Sequence, residues 1–374
     1  MLRQHGTGGR AEPARGQGFV KALVLAGGKG TRLRPITYTR AKQLVPVANK
    51  PILFYAIEAL GAAGIEEIGV IVGDTAEEVR AALGDGSRWG VSITYIPQEA
   101  PLGLAHAVKI AEEFMAGEPF VMYLGDNLIK DGITPFAEEF RTHEPDAQIL
   151  LARVPNPSQF GVVELDGNGE VLRLVEKPAD PPSDLALVGV YLFNERVFEA
   201  VNAIEPSARG ELEITDAIQW LVDNGATVRP HVISGWWKDT GKLDDMLEAN
   251  RIMLDLIETD IAGEVDAGSS VHGRVVIGAG TRLVNSTVRG PAVIGEGCEL
   301  VDAYVGPYTS VGNGCTVTRS EIEHSIMLDE SRLDQCGVRL ADSLLGVGAV
   351  VRRATGVSAA FHVMLGDNSE VEIV

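Results

Sequence analysis

The sequence predicts a two-part chain, an α/β domain built on a mostly parallel sheet and then a parallel β-helix of hexapeptide repeats. Three observations carry this. Short apolar runs alternate with amphipathic stretches through the first two thirds of the chain, the pattern of strand and helix in turn. Aliphatic residues then recur at steps of six or five from Val265 to Ile322, and Ile277-Gly, Ile294-Gly and Val311-Gly align at a period of 17, which gives three faces per coil. Finally, residues 21–50 hold seven Lys or Arg and no acid in a chain of net charge −20. Such a basic island beside a glycine-rich turn suits a polyanion, with backbone amides and cations converging on phosphate.

Composition narrows the class. At 374 residues and 45% hydrophobic content the chain can build two cores and is not disordered throughout. The 52 acidic against 32 basic residues argue against duplex nucleic acid or an anionic membrane as partner. No stretch approaches the ~18 apolar residues of a membrane span. Residues 1–19, without an apolar run, read as a disordered tail rather than a signal or anchor. Only three cysteines occur, all after residue 297, so no disulfide framework is expected and the cytoplasm is the expected compartment.

The elements follow in order. Ala22–Ala26 reads as a buried strand, and Gly27, Gly28 and Gly30 permit a sharp turn open to a close ligand. Neither a dinucleotide fingerprint, whose third glycine is replaced by Leu33, nor a P-loop fits this turn. A helix is predicted at Ile52–Gly61, a strand at Glu67–Val72, a helix at Ala76–Leu83 and a strand at Val91–Ile96. Next come a helix at Leu104–Phe114 and a strand at Pro119–Leu124. Such alternation places a ligand beyond the carboxyl ends of the strands. Strands at Gln148–Val154, Gly161–Leu165 and Val171–Val175, with a turn at 166–169, predict an inserted hairpin. Leu187–Phe193 and Val228–Ile233 read as strands, Gly210–Trp220 as a loop opening a helix, and Leu243–Ile257 as a helix leading out of the domain.

Some of these elements deliver chemistry. Asp126 sits at the tip of an apolar strand, where a carboxylate must be solvated, paired or metal-bound; capping the next helix is the plainer alternative. Asp239 follows the strand ending at Ile233, and the tandem Trp236 and Trp237 read as packing. Two carboxylates suit Mg²⁺, which takes oxygen ligands and shares its coordination sphere with substrate phosphates.

The motifs Leu25-Ala-Gly-Gly-Lys-Gly-Thr-Arg-Leu33, Lys42-Gln-Leu-Val-Pro46 and Asn49-Lys-Pro51 resemble the signature of the sugar-1-phosphate nucleotidylyltransferases. The Lys42-Gln43-Leu44 form most resembles the glucose-1-phosphate thymidylyltransferases of the long variety, over about residues 20–374. That resemblance implies a Rossmann-like nucleotidyltransferase domain at 20–256 and a left-handed β-helix at 257–374. It implies transfer of a nucleotidyl group from a nucleoside triphosphate, dTTP first, to a sugar 1-phosphate, glucose 1-phosphate first. Other triphosphates, UTP included, remain alternatives. It also implies the roles. Leu25, Gly27, Gly28, Gly30, Thr31, Arg32, Gln98 and Gly103 would bind nucleotide. Gly161, Glu176, Lys177, Val188 and Tyr191 would bind sugar phosphate. Arg32, Lys42, Asp126 and Asp239 would be catalytic, the two acids holding Mg²⁺. A homo-oligomer is expected.

The repeats carry their own expectations. Cys298 and Cys315 each lie four residues after an aliphatic position, where a small side chain is taken, and should stack in adjacent coils without a disulfide. The pattern weakens after Met327 and suggests a return at Leu345 and Val350. The β-helix is expected to be structural, for oligomer contacts or regulation. Because such helices also occur in acyltransferases, His272 and His324 are the residues on which a bifunctional reading would rest.

Overall fold

The computed structural model describes residues 21–28, 30–353 and 369–371; the tail expected at 1–19 lies outside them. The first part is a nine-stranded sheet. Its parallel half runs Phe120–Leu124, Lys21–Leu25, Glu67–Val72, Ser92–Pro97, with Leu23 in register with both Met122 and Gly69. Lys21–Leu25 is central to this half because the chain crosses to one side first and to the other later, which opens a crevice at its carboxyl end. The long strand Leu185–Phe193, buried throughout, runs antiparallel to Phe120–Leu124 and to Ala147–Arg153. It also meets the hairpin Gly161–Leu165 and Val171–Glu176. Apolar clusters cover both faces. No described helix is long and apolar enough to cross a membrane.

The structure differs locally from the expectations. The helix expected at Leu104–Phe114 is broken at Ala111 into Leu104–Ile110 and Glu112–Met115. The helix expected to open at Gly210 begins at Ile214. The residues before it form a turn, with Ser207 N–H donating to the Glu211 carbonyl, and Leu212 then pairs with Leu102. The helices Thr134–His143 and Val197–Ala203 were not anticipated.

From Asp260 the chain winds through three sheets of parallel strands, the expected β-helix. Every inward aliphatic of the repeat lands in a strand, and Ile277, Ile294 and Val311 stack in register at the 17-residue spacing. The winding continues without interruption through Leu333, Leu340 and Leu345. Its period hides there. The coil joining Val311 to Met327 is 16 residues, and that joining Ile322 to Leu340 is 18, the extra residues bulging out at 335–338 with Val338 exposed. Cys298 and Cys315 do occupy adjacent coils, where the Glu299 N–H donates to the Cys315 carbonyl, and all three cysteines are free.

Cys298 and Cys315 are buried and Cys336 is partly open. A thiol reagent added to the native protein should therefore label Cys336 readily and the other two only on unfolding. Fast labelling of all three would show that the coils do not close over their corner residues.

Candidate active site

At the crevice the glycine turn is pressed against its neighbours. A Cβ on Gly73 would lie 3.1 Å from the Gly27 carbonyl, and one on Gly27 would lie 3.7 Å from Gln98 Oε1. Gly30 adopts φ 59°, and a Cβ there would sit 2.9 Å from the Lys42 Cβ, so glycine is needed for both reasons. After the turn, residues 31–33 form one 3-10 turn that presents Arg32, its side chain 58% exposed, to the crevice rim. Gln43 lies under Gly28, and its Oε1 is buried without a partner among the described residues.

Lys42 occupies the centre, 6% exposed. Its Nζ donates to Asp126 Oδ2 at 2.5 Å and Asp239 Oδ1 at 3.4 Å, while Arg32 stands 3.8 Å from the other oxygen of Asp239. Burial alone would pull the Lys42 ammonium down, but the charges of Asp126 and Asp239 and the bond to Asp126 outweigh it and hold it above its ordinary value. Burial would raise the Asp126 carboxyl. Lys42 and the Asn127 amide overcome that and keep it low. Asp239 is pushed up, by burial and then by the Asp126 charge, against Lys42 and Arg32.

The two acids meet by a route the sequence did not suggest. Asp239 does not end a strand of the central sheet. It belongs to a short strand, Trp237–Asp239, that pairs antiparallel with Asn127–Ile129, so Asp239 faces Asn127 in register. Thr240 fastens the pair by donating its N–H and hydroxyl to the Asp126 carbonyl. Asn127 then orients its neighbour, donating from Nδ2 to Asp126 Oδ1 at 2.9 Å while its own Oδ1 accepts the Trp237 indole N–H at 2.6 Å. Gly189 makes room, since a Cβ there would lie 2.7 Å from that amide nitrogen. Gly241 does the same for Arg32, whose guanidinium would lie 3.1 Å from an added Cβ.

Gln98 Nε2 lies 3.3 Å from the Gly103 carbonyl and 3.1 Å from His106 Nδ1. On the far side, Gly161 is in register with Glu176. Glu176 accepts from the Thr215 hydroxyl at 2.6 Å and is ion-paired to Arg209 at 3.2 Å and Lys177 at 3.3 Å. Lys177 is held at φ 42° by its N–H bond to the Phe160 carbonyl. Tyr191, expected on the sugar side, is buried in the core with its ring stacked on Phe193 at 5.9 Å, and burial and then the Glu176 charge raise its phenol. Glu176, Lys177 and Arg209 border a groove of about 610 Å³ with Ser207, Glu213 and Asp216. Val188 differs from the expectation that it walls the sugar pocket. Its side chain is fully buried in the core.

Asn127, Trp237, Arg209 and Thr215 were not singled out from the sequence. Asn127 was adjacent to a candidate, and Trp237 was read as packing. Nothing in the spacing of Arg209 and Thr215 marked them. His272 and His324 lie three coils apart, and the His324 ring rests on Tyr308. A hollow of about 460 Å³ on the β-helix holds Arg339 already paired with Glu321 and, beside it, Glu323.

A family profile described as nucleotidyl transferase matches residues 21–255. The chain is 55% identical over 355 residues to the glucose-1-phosphate thymidylyltransferase of Streptomyces griseus, spanning 95% of this chain and 99% of that protein. It is 57% identical over 356 residues to the enzyme of the same name from Streptomyces antibioticus, with the same shares. The solved structure of a Bacillus anthracis protein assigned as a glucose-1-phosphate thymidylyltransferase, in complex with sucrose, superposes with a TM-score of 0.60 at 37% identity. It spans 64% of this chain and 97% of that one.

Gly103 has φ 105°, and a Cβ there would lie 2.3 Å from the Leu212 carbonyl oxygen. Gly103→Ala should therefore cost about 1–3 kcal/mol of stability in urea unfolding. Unchanged stability would mean that the 102–105 and 212 segments part without cost.

Proposed function

Because the chain belongs to the nucleotidyl transferase family, we propose that it transfers a thymidylyl group from dTTP to α-D-glucose 1-phosphate, giving dTDP-glucose and pyrophosphate. The observation that carries this is the Asp126–Lys42–Asp239 constellation beside Arg32 at the carboxyl end of the central strand. We assign the chemistry to residues 20–256 and a supporting role to 257–374. The proposal includes a cytoplasmic homo-oligomer, in keeping with free thiols.

The attacking oxygen of the sugar phosphate is already an anion, so no general base is needed. It bonds to the α-phosphorus, the bond from that phosphorus to the bridging β-phosphate oxygen breaks, and pyrophosphate leaves with the electron pair. What the chain supplies is alignment and charge neutralisation. The amides of the glycine turn and Arg32 hold the triphosphate, Gln98 and Gly103 face the base, and Lys42 reaches the phosphate oxygens at the reacting centre. Lys177 grips the sugar phosphate, and Glu176, fixed by Arg209 and Thr215, accepts sugar hydroxyls.

Asp126 and Asp239 fit Mg²⁺, being hard carboxylate donors turned to one point, and they would hold it. Within the protein their charges are already balanced by Lys42 and Arg32. Held by Asp126 and Asp239, Mg²⁺ would supply charge neutralisation between the two polyanions.

Pyrophosphate release over a grid of triphosphates and sugar 1-phosphates tests the assignment. The dTTP and glucose 1-phosphate pair should lead; a higher kcat/KM with UTP or another triphosphate would reassign the base. Arg32→Ala should weaken nucleotide binding and Lys177→Ala sugar-phosphate binding, each by ~1.5–3 kcal/mol in calorimetry. Equal loss of both affinities in both variants would contradict the division of labour.

A further inference from the structure

Outward positions of a β-helix normally meet water and are polar. One sheet carries the outward row Arg282, Glu299, Thr316, Arg332, and a second carries Thr287, Tyr304, Glu321, Arg339. In the third sheet the row is Val276, Val293, Ser310, Ile326, Leu344, uncharged throughout, with its middle three members buried.

That row is covered by the catalytic motifs themselves. Leu33, Val45, Val47 and Ile52 share one apolar cluster with Ile326 and Leu328, and Ile36 and Leu344 pack at its margin. A polar clamp lies alongside. Buried Asn250 accepts from the Ala48 N–H at 2.8 Å and the Ser310 hydroxyl at 2.7 Å, and donates to the Tyr308 carbonyl at 3.1 Å. Asn49 Nδ2 donates to the Val311 carbonyl at 2.6 Å. Ala48 and Asn49 both have positive φ, 49° and 60°, a turn that non-glycine residues adopt only when held. The β-helix thus grips the chain at Leu33, directly after Arg32, and at Asn49, seven residues after Lys42, and reaches Ala48 through Asn250.

We propose that the β-helix is a positioning part of the nucleotide site, its buried outward row fixing the loops that present Arg32 and Lys42. This rests on the assignment of those two cations to the triphosphate. Leu328 and Ser310 act through Leu33 and Asn250 and touch no substrate.

The test uses the full chain. Leu328→Ala opens a cavity behind Leu33, whereas Leu333→Ala opens one in a cluster that lies wholly within the β-helix. The two should lose similar thermal stability. Only Leu328→Ala should lower kcat/KM for dTTP, by roughly tenfold or more, with the KM for glucose 1-phosphate within about twofold of wild type. Ser310→Ala removes one hydrogen bond and little packing, and should act in the same direction more weakly; it carries the test if Leu328→Ala does not fold. Equal kinetics in Leu328→Ala and Leu333→Ala overturns the proposal, as does wild-type kinetics in Ser310→Ala where that variant stands alone. If Arg32→Ala selectively weakens nucleotide and Leu328→Ala has no kinetic effect, positioning fails; if Arg32→Ala is not selective, the underlying assignment fails.

Discussion

One buried ammonium holds the site together. Lys42 lies between carboxylates that are 113 positions apart in the chain, and its charge offsets the cost of bringing the two acids together in a half-buried site. The surrounding structure is shaped to bring the three groups into contact. Gly30 lets the turn pass over the Lys42 side chain, and Gly189 admits the amide that orients Asp126. Gly241 lets Arg32 lie flat beside Asp239, and Thr240 ties the two acid-bearing segments together. Each of these glycines has a neighbour that a methyl group would strike or crowd.

The sheet divides the work. Its parallel half ends in the glycine turn, Gln98 and Asp126, all on loops that leave carboxyl ends of strands. Its antiparallel half carries the hairpin with Gly161, Glu176 and Lys177, anchored through Glu176 to Thr215 and Arg209. The 207–213 segment touches both halves, since Leu212 is bonded to Leu102 and Ala105 while Arg209 is ion-paired with Glu176 of the hairpin.

Much of this was legible in the sequence because it is written in local patterns. The strand and helix alternation, the 17-residue repeat and the motif residues all depend on near neighbours. What was missed depends on distant partners. The pairing of Trp237–Asp239 with Asn127–Ile129 joins two three-residue strands too short to show a period. Arg209 and Thr215 acquire meaning only beside Glu176. The β-helix after Met327 was obscured by coils of 16 and 18 residues, a change of period rather than of fold. The uncharged row from Val276 to Leu344 was not singled out from the sequence, because its sense depends on the motif loops that lie against it.

The central claim is that Asp126 and Asp239 act as one unit at the reacting phosphates, and turnover in a double-variant cycle tests it most directly. Asp126→Asn and Asp239→Asn keep the shape of each side chain and remove one charge, and each should lower kcat by roughly a hundredfold or more at saturating substrates. The double variant should be little worse than the poorer single one, as for groups that work together. Losses that multiply in full, or near-normal turnover of either single variant at limiting Mg²⁺, would show that the two acids do not share one task.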